Sequence, residues 1–213
     1  MGKIIWIASY PKSGNTWVRM FLNSYFYGQD KRQELGNLDK STFGGSSKTS
    51  YEKVTTRNVA ELSDKEIMEL TPLAHGYIAS SQPQMAFVKT HNLLSTYHNI
   101  PLVTPDVTQC GLHIVRNPLD TVISVADHYG LGLDRAIQFI NNLNGSSAPT
   151  DRMVRQIFSS WTKNVESWTE EAPFPVLTTR YEDLHEDPEA FFSRIIKSLG
   201  MVPDAARVAK AVK

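Results

Sequence analysis

The strongest constraint on what this chain can fold into lies near its N-terminus. Ile4-Ile5-Trp6-Ile7-Ala8-Ser9 is an apolar run rich in Ile, Tyr10 to Asn15 is a turn with Pro and Gly, and Thr16 to Leu22 follows an amphipathic pattern. An uninterrupted apolar run, then turn residues, then a helical period predicts a buried parallel strand, a tight loop and a helix. The loop carries Lys12, Ser13, Gly14 and Thr16 where that helix begins. The first N–H groups of a helix have no intrahelical partner and sit at the positive end of its dipole, so such a loop is an anion site suited to phosphate or sulfate. Its order differs from that of the Walker A loop: Lys12 precedes Gly14 instead of following the second Gly, and nothing here demands a metal ion.

Composition narrows the classes. The 213 residues carry 22 Lys+Arg and 22 Asp+Glu, so zero net charge gives no bulk reason to bind nucleic acid or a membrane surface. Cys110 is the single cysteine, which excludes an intrachain disulfide and fits a buried thiol in a reducing cytoplasm. No apolar run approaches the roughly 20 residues needed to span a bilayer. A cytoplasmic chain of one domain over residues 1–213 is the expectation.

Three further segments read as strands leading into polar loops or helices. Met85 to Val88 ends in Lys89-Thr90-His91, Gly111 to Val115 ends in Arg116-Asn117-Pro118, and Phe174 to Thr179 ends in Arg180-Tyr181-Glu182. In open α/β sheets ligands collect beyond the carboxyl ends of strands, which is where these polar groups fall. Asn117 suits a helix cap and Pro118 its first turn. Ser124 follows Arg116 by eight residues, roughly two helical turns later, so an Arg fork and a Ser hydroxyl could hold one phosphate. Residues 29–51 read as a long Gly/Ser-rich loop, either a lid or a surface insertion. Ser63 to Glu66 has capping-box form, predicting a short helix that ends before Pro72. Helices are expected over about 130–142 and 188–199, and a long amphipathic helix from Asp151 carrying Val154, Ile157, Phe158, Trp161, Val165 and Trp168. The predicted fold class is α/β: three layers, α/β/α, with a mainly parallel central sheet.

The motifs also carry a family resemblance. YPKSGNTW resembles the 5′-phosphosulfate loop of the sulfotransferases that use 3′-phosphoadenosine 5′-phosphosulfate (PAPS), usually YPKSGTTW, with Asn15 as the departure. Lys-Thr-His after a strand is similar to the family's segment with the catalytic His. RNPLDTVISVADHYG is similar to its 3′-phosphate segment, typically RNPKDVAVSYYH, with Leu119 in place of a basic residue. RYEDL is similar to its YEDL segment, whose Tyr touches adenine. The resemblance implies a P-loop nucleotide-kinase-like fold and sulfuryl transfer from PAPS to a hydroxyl, or an amine, of a small-molecule or carbohydrate acceptor. It implies His91 as base, with Lys12 and Lys89 as charged assistants. Lys12, Ser13, Gly14, Asn15, Thr16 and Trp17 would hold the nucleotide's 5′ side, Arg116 and Ser124 its 3′-phosphate, and Tyr181 its base. Trp17 has a buried core position as its rival reading. The family's later basic, Gly-containing segment (RKG-like, then GDW) has no counterpart, so either the chain continues or the nucleotide site is completed differently. Two other functional classes remain: a magnesium-dependent small-molecule kinase, which the position of Lys12 and the second anion loop disfavour, and a non-catalytic nucleotide-binding protein. Acceptor identity and oligomeric state are not legible; segments 29–56, 92–109 and 141–150 would shape the acceptor side.

Overall fold

The structure is a computed structural model that describes residues 3–28, 42–170 and 172–212. Residues 29–41, the first part of the expected lid or insertion, lie outside the described residues. The chain runs β1 (Lys3–Ser9), α1 (Asn15–Tyr27), β2 (Phe43–Gly44), α2 (Lys48–Glu52), α3 (Asp64–Glu69), α4 (Thr71–Ser80) and β3 (Met85–Thr90). It continues through β4 (Thr96–Tyr97), β5 (Ile100–Pro101), β6 (Thr108–Val115), α5 (Pro118–Tyr129), α6 (Leu133–Ile140), α7 (Trp161–Thr169), β7 (Val176–Arg180), α8 (Tyr181–Glu186), α9 (Pro188–Ser198) and α10 (Ala205–Val212).

Five strands form one parallel sheet in the order β2-β3-β1-β6-β7. β1 is central because its apolar run has no polar face to show to water. Ile5 and Ile7 pack into a core on one side with Val18, Phe21 and Leu22 of α1 and Phe191, Phe192, Ile195 and Ile196 of α9. Ile4, Trp6 and Ala8 pack on the other side with Ile78 and Ala79 of α4 and Trp168 of α7. The alternation of side chains along a strand sends odd and even positions to opposite layers, which gives the three-layer α/β/α architecture. The buried indoles are satisfied: Trp6 Nε1 donates to Thr108 Oγ1 at 2.8 Å and Trp168 Nε1 to the Asn92 carbonyl at 3.0 Å.

β1 pairs with β3 on one side and with β6 on the other, and the pairings run to Ala8–Thr90 and Ser9–Ile114. Successive strands therefore depart from β1 in opposite directions, which opens a crevice at its carboxyl end. The loop after β1, the end of β3 and the end of β6 all meet that crevice.

Several local expectations need correction. The stretch read as loop up to Tyr51 contains the edge strand Phe43–Gly44 and the helix Lys48–Glu52. Two residues are too few to leave an alternating pattern, so that strand has no sequence signature. The long helix expected from Asp151 begins only at Trp161. Before it the chain is extended, with bridges Ser47–Met153 and Ser146–Ile157. Val154, Gln156 and Phe158 are buried and Arg155 and Ile157 less so, which is a period of two rather than 3.6. Ser159 at φ 57 then turns the chain, and the Ser160 side chain caps α7 by accepting from Lys163 N. Helix α3 carries the capping box expected at Ser63 and Glu66, but α4 follows it directly across Pro72, which sits in the first turn where its missing N–H costs nothing.

Candidate active site at the carboxyl ends of the parallel strands

The loop after β1 is a tight turn. Ser13 N donates to the Tyr10 carbonyl at 3.3 Å, and Trp17 N to the Gly14 carbonyl at 3.0 Å as α1 starts. Lys12 at φ 69 and Gly14 at φ 94 are both left-handed. For Gly14 no side chain is tolerable: an added Cβ would lie 2.3 Å from Cδ2 of Tyr181. For Lys12 the conformation costs about 1 kcal/mol or more, a local strain of the kind held at functional loops.

The loop touches the end of β6. Arg116 Nη1 donates to the Lys12 carbonyl at 3.1 Å. The Arg116 guanidinium also lies over the Tyr181 ring, 4.7 Å from its centroid. Gly14 thus packs against the Cδ2–Cε2 edge of Tyr181 while Arg116 covers a ring face. Asn117 N donates to Glu182 Oε1 at 2.9 Å, which ties the β6 turn to the start of α8. The Asn117 side chain caps α5 and Pro118 occupies its first turn. Ser124 lies half-buried on α5, one turn after buried Thr121.

Two buried donors in this cluster, Ser13 Oγ and Arg116 Nε, find no hydrogen-bond partner among the described residues. Buried polar groups are nearly always paired, so both donors are available to a hydrogen-bond acceptor. Trp17 is 51% exposed, which removes the core reading of that residue.

His91 closes the other side of the crevice. Its Nδ1 lies 2.7 Å from the Ser9 carbonyl oxygen and 3.4 Å from Ser9 Oγ. A carbonyl can only accept, so Nδ1 carries the proton and Nε2 keeps its lone pair. The backbone of His91 is fixed as well: its N–H donates to Gln156 Oε1 at 3.2 Å, and its carbonyl accepts from Asn164 Nδ2 at 3.1 Å. Burial, then the positive charge of Lys89, pushes the imidazole down to about 3, so the ring is neutral at pH 7. The Ser9 carbonyl opposes that shift, and Arg19 and Lys12 add to it more weakly. Lys12, Lys89 and Arg19 therefore surround His91 with positive charge.

The family model for the sulfotransferase domain matches residues 3–213. The chain belongs to the sulfotransferase domain family. Sulfotransferase 1A1 of Rattus norvegicus is 26% identical over 201 residues, covering 91% of this chain and 58% of that protein. Mouse sulfotransferase SULT7A1, solved in complex with PAP, superposes with a TM-score of 0.60 at 21% identity, covering 99% of this chain and 62% of that one. Retinol dehydratase, solved with androsterone and inactive cofactor PAP, gives 0.61 at 16% identity, covering 98% of this chain and 63% of that one. This sulfotransferase domain thus spans about three-fifths of the length of those relatives. No helix among its described residues is long and apolar enough to cross a membrane.

The structure brings Arg116 against Lys12 and Tyr181, and Gly14 against Tyr181, and the charges of Lys89 and Lys12 act on His91. Thr16 and Trp17 are exposed on the first turn of α1. Asn15 points inward: its Nδ2 donates to the Ile7 carbonyl at 2.8 Å, so its side-chain donors face the sheet. Sequence reasoning missed Ser9, Gln156, Asn164 and Arg19. Gln156 and Asn164 lie within a stretch that scans as one amphipathic helix, and nothing in that pattern marks a contact with the end of β3.

Proposed function

We propose that this chain transfers a sulfuryl group from PAPS to the hydroxyl of a small-molecule or carbohydrate acceptor, or less readily to an amine, as a single cytoplasmic domain. The observation that carries the reading is the pair of unpartnered buried donors, Ser13 Oγ and Arg116 Nε, on two loops joined by the Arg116–Lys12 hydrogen bond. Donors offered by two different loops, one after β1 and one after β6, suit a nucleotide with two phosphate groups. Backbone N–H groups of the Ser13–Thr16 turn, with the Lys12 ammonium and Ser13 hydroxyl, would hold the 5′ side. Arg116 and Ser124 would hold the 3′-phosphate, and Tyr181 and Trp17 would bound the base.

PAPS supplies an electrophilic sulfuryl group on a phosphate that leaves as an anion. The chain supplies alignment and fixed positive charge, the two contributions that dominate such transfers. Lys12 would neutralise the charge that grows on the leaving oxygen, and Lys89 would stabilise the sulfuryl group in transit. His91 accepts the acceptor's proton on Nε2, which the Ser9 carbonyl keeps unprotonated. Burial and the charges of Lys89, Arg19 and Lys12 hold the ring's basicity down in the free chain; a bound anionic co-substrate would offset those charges and raise it.

The test is incubation of the purified chain with sulfur-labelled PAPS and a panel of phenols, alcohols, sugars and amines, without ATP or magnesium. Label should move to at least one hydroxyl acceptor. His91→Ala should abolish turnover yet still bind adenosine 3′,5′-bisphosphate, and Lys12→Ala should lose both. Tight bisphosphate binding with no transfer to any acceptor would make the chain a nucleotide-binding protein instead.

A further inference from the structure

We propose that the Asn15 side chain is a positioning residue for His91 and not a ligand of the nucleotide. The proposal rests on the reading of His91 as the base. Asn15 is buried at the first position of α1, and its Nδ2 donates to the Ile7 carbonyl at 2.8 Å and reaches Ser9 Oγ at 3.4 Å. The Ile7 oxygen can only accept, so the carboxamide has one possible orientation, with nitrogen toward β1 and oxygen away from it. Asn15 Oδ1 is accordingly buried with no hydrogen-bond partner among the described residues.

Those two hydrogens bracket Ser9. One grips the carbonyl two residues before it, the other its hydroxyl. Ser9 is the last residue of β1; β6 still pairs with it at Ile114, but the β3 pairing has ended one residue earlier, at Ala8–Thr90. Its carbonyl is the acceptor for His91 Nδ1 at 2.7 Å, the bond that places the ring proton. Asn15 therefore connects the start of the anion loop's helix to the tautomer of the base through a single residue. The remaining Oδ1 is an acceptor and would repel an oxyanion, so the side chain adds nothing to phosphate binding. Only the Asn15 backbone N–H remains for that purpose.

The experiment follows the His91 ring nitrogens by NMR in the ¹⁵N-labelled chain, alongside bisphosphate titration and steady-state kinetics. In the unaltered protein Nδ1 should be protonated and Nε2 not. In Asn15→Ala the ring should sample both tautomers. The kcat should fall roughly tenfold, the low end for an outer-shell partner and far less than the roughly 10⁴-fold seen when the group bonded to a catalytic imidazole is lost, because Asn15 acts through Ser9. The bisphosphate Kd and acceptor KM should stay within about twofold. Asn15→Thr, which restores one donor, should recover part of both the tautomer and the rate, and it carries the same readings if the alanine variant does not fold. Weaker bisphosphate binding with an unchanged ring spectrum would make Asn15 a phosphate ligand and overturn the proposal. So would a lower melting temperature with tautomer and kcat unchanged. If no acceptor is ever turned over, the functional reading fails on that result alone, while the ring spectrum and titration still decide the role of Asn15.

Discussion

Replacing Arg116 by Met separates a ligand from a strut. In the free protein the substitution removes the bond from Nη1 to the Lys12 carbonyl, about 1–2 kcal/mol for a charged donor at a half-buried site, and the contact with the Tyr181 ring, about 0.5–1 kcal/mol. It also removes a buried Nε without a partner, which relieves about 1–3 kcal/mol. These contributions nearly cancel, so the free Arg116→Met protein should lie within about 1 kcal/mol of the original. The bound state has no such compensation. Loss of a charge-assisted bond to phosphate costs about 1.5–3 kcal/mol, a rise in Kd of roughly 10- to 150-fold. Thermal denaturation reads both quantities at once. At a bisphosphate concentration of about 100 times the original Kd, ligand adds about 2.7 kcal/mol to the original protein, and about 0.4 kcal/mol to a variant weakened 100-fold. At about 2–4 °C per kcal/mol for a domain of this size, the ligand-induced shift should drop from about 5–11 °C to about 1–2 °C, with little change in the unliganded midpoint. An unliganded midpoint lowered by 8 °C or more with full ligand response would show that Arg116 props up the turn and does not bind phosphate.

Two further outcomes follow from the same geometry. Gly14→Ala puts a methyl 2.3 Å from the Tyr181 ring at φ 94, so it should destabilise the chain by about 3 kcal/mol or more and lower the melting temperature by about 6–12 °C; a midpoint within 2 °C of the original would mean that the loop and Tyr181 are not packed as described. Stability should also fall on mild acidification. Burial pushes His75 down to about 4 and His113 down to about 3, against about 6.5 when unfolded, so below pH 6.5 the unfolded chain binds more protons than the folded one. Their stabilisation is complete above pH 6.5 and is lost as pH falls toward 4, at up to about 2.7 kcal/mol per pH unit near pH 5, with His91 acting in the same direction. Urea midpoints at pH 7, 6 and 5 measure this, and a flat series would contradict the burial of the two rings.

What could be read from the sequence was whatever local chemistry dictates. Ile4 to Ala8 could only be a strand covered on both faces, and Pro11, Gly14 and the helical period after them located the turn and the start of α1. Asn117 and Pro118 announced α5 in the same local way. Illegible were features created by partners distant in the chain. Phe43–Gly44 is a strand because β3 lies beside it, and Val154 to Phe158 is extended because Ser47 and Ser146 offer bridges. Within the candidate site, strand-end position drew notice to Lys12, His91 and Arg116, and the family resemblance supplied the roles expected of them. The groups that aim them were not legible: Ser9 offers His91 a main-chain carbonyl, which every residue possesses, and Asn164 reaches it across 73 positions of sequence.

The central claim is that the Lys12 and Arg116 loops together grip an adenosine bearing phosphate at both its 3′ and 5′ positions. Isothermal titration of the chain with adenosine 3′,5′-bisphosphate and with adenosine 5′-monophosphate, in the same metal-free buffer, tests it most directly. The bisphosphate should bind at least tenfold more tightly, and Arg116→Met should erase that difference while leaving the monophosphate affinity as it was. Equal affinities for the two nucleotides in the unaltered protein would contradict the claim.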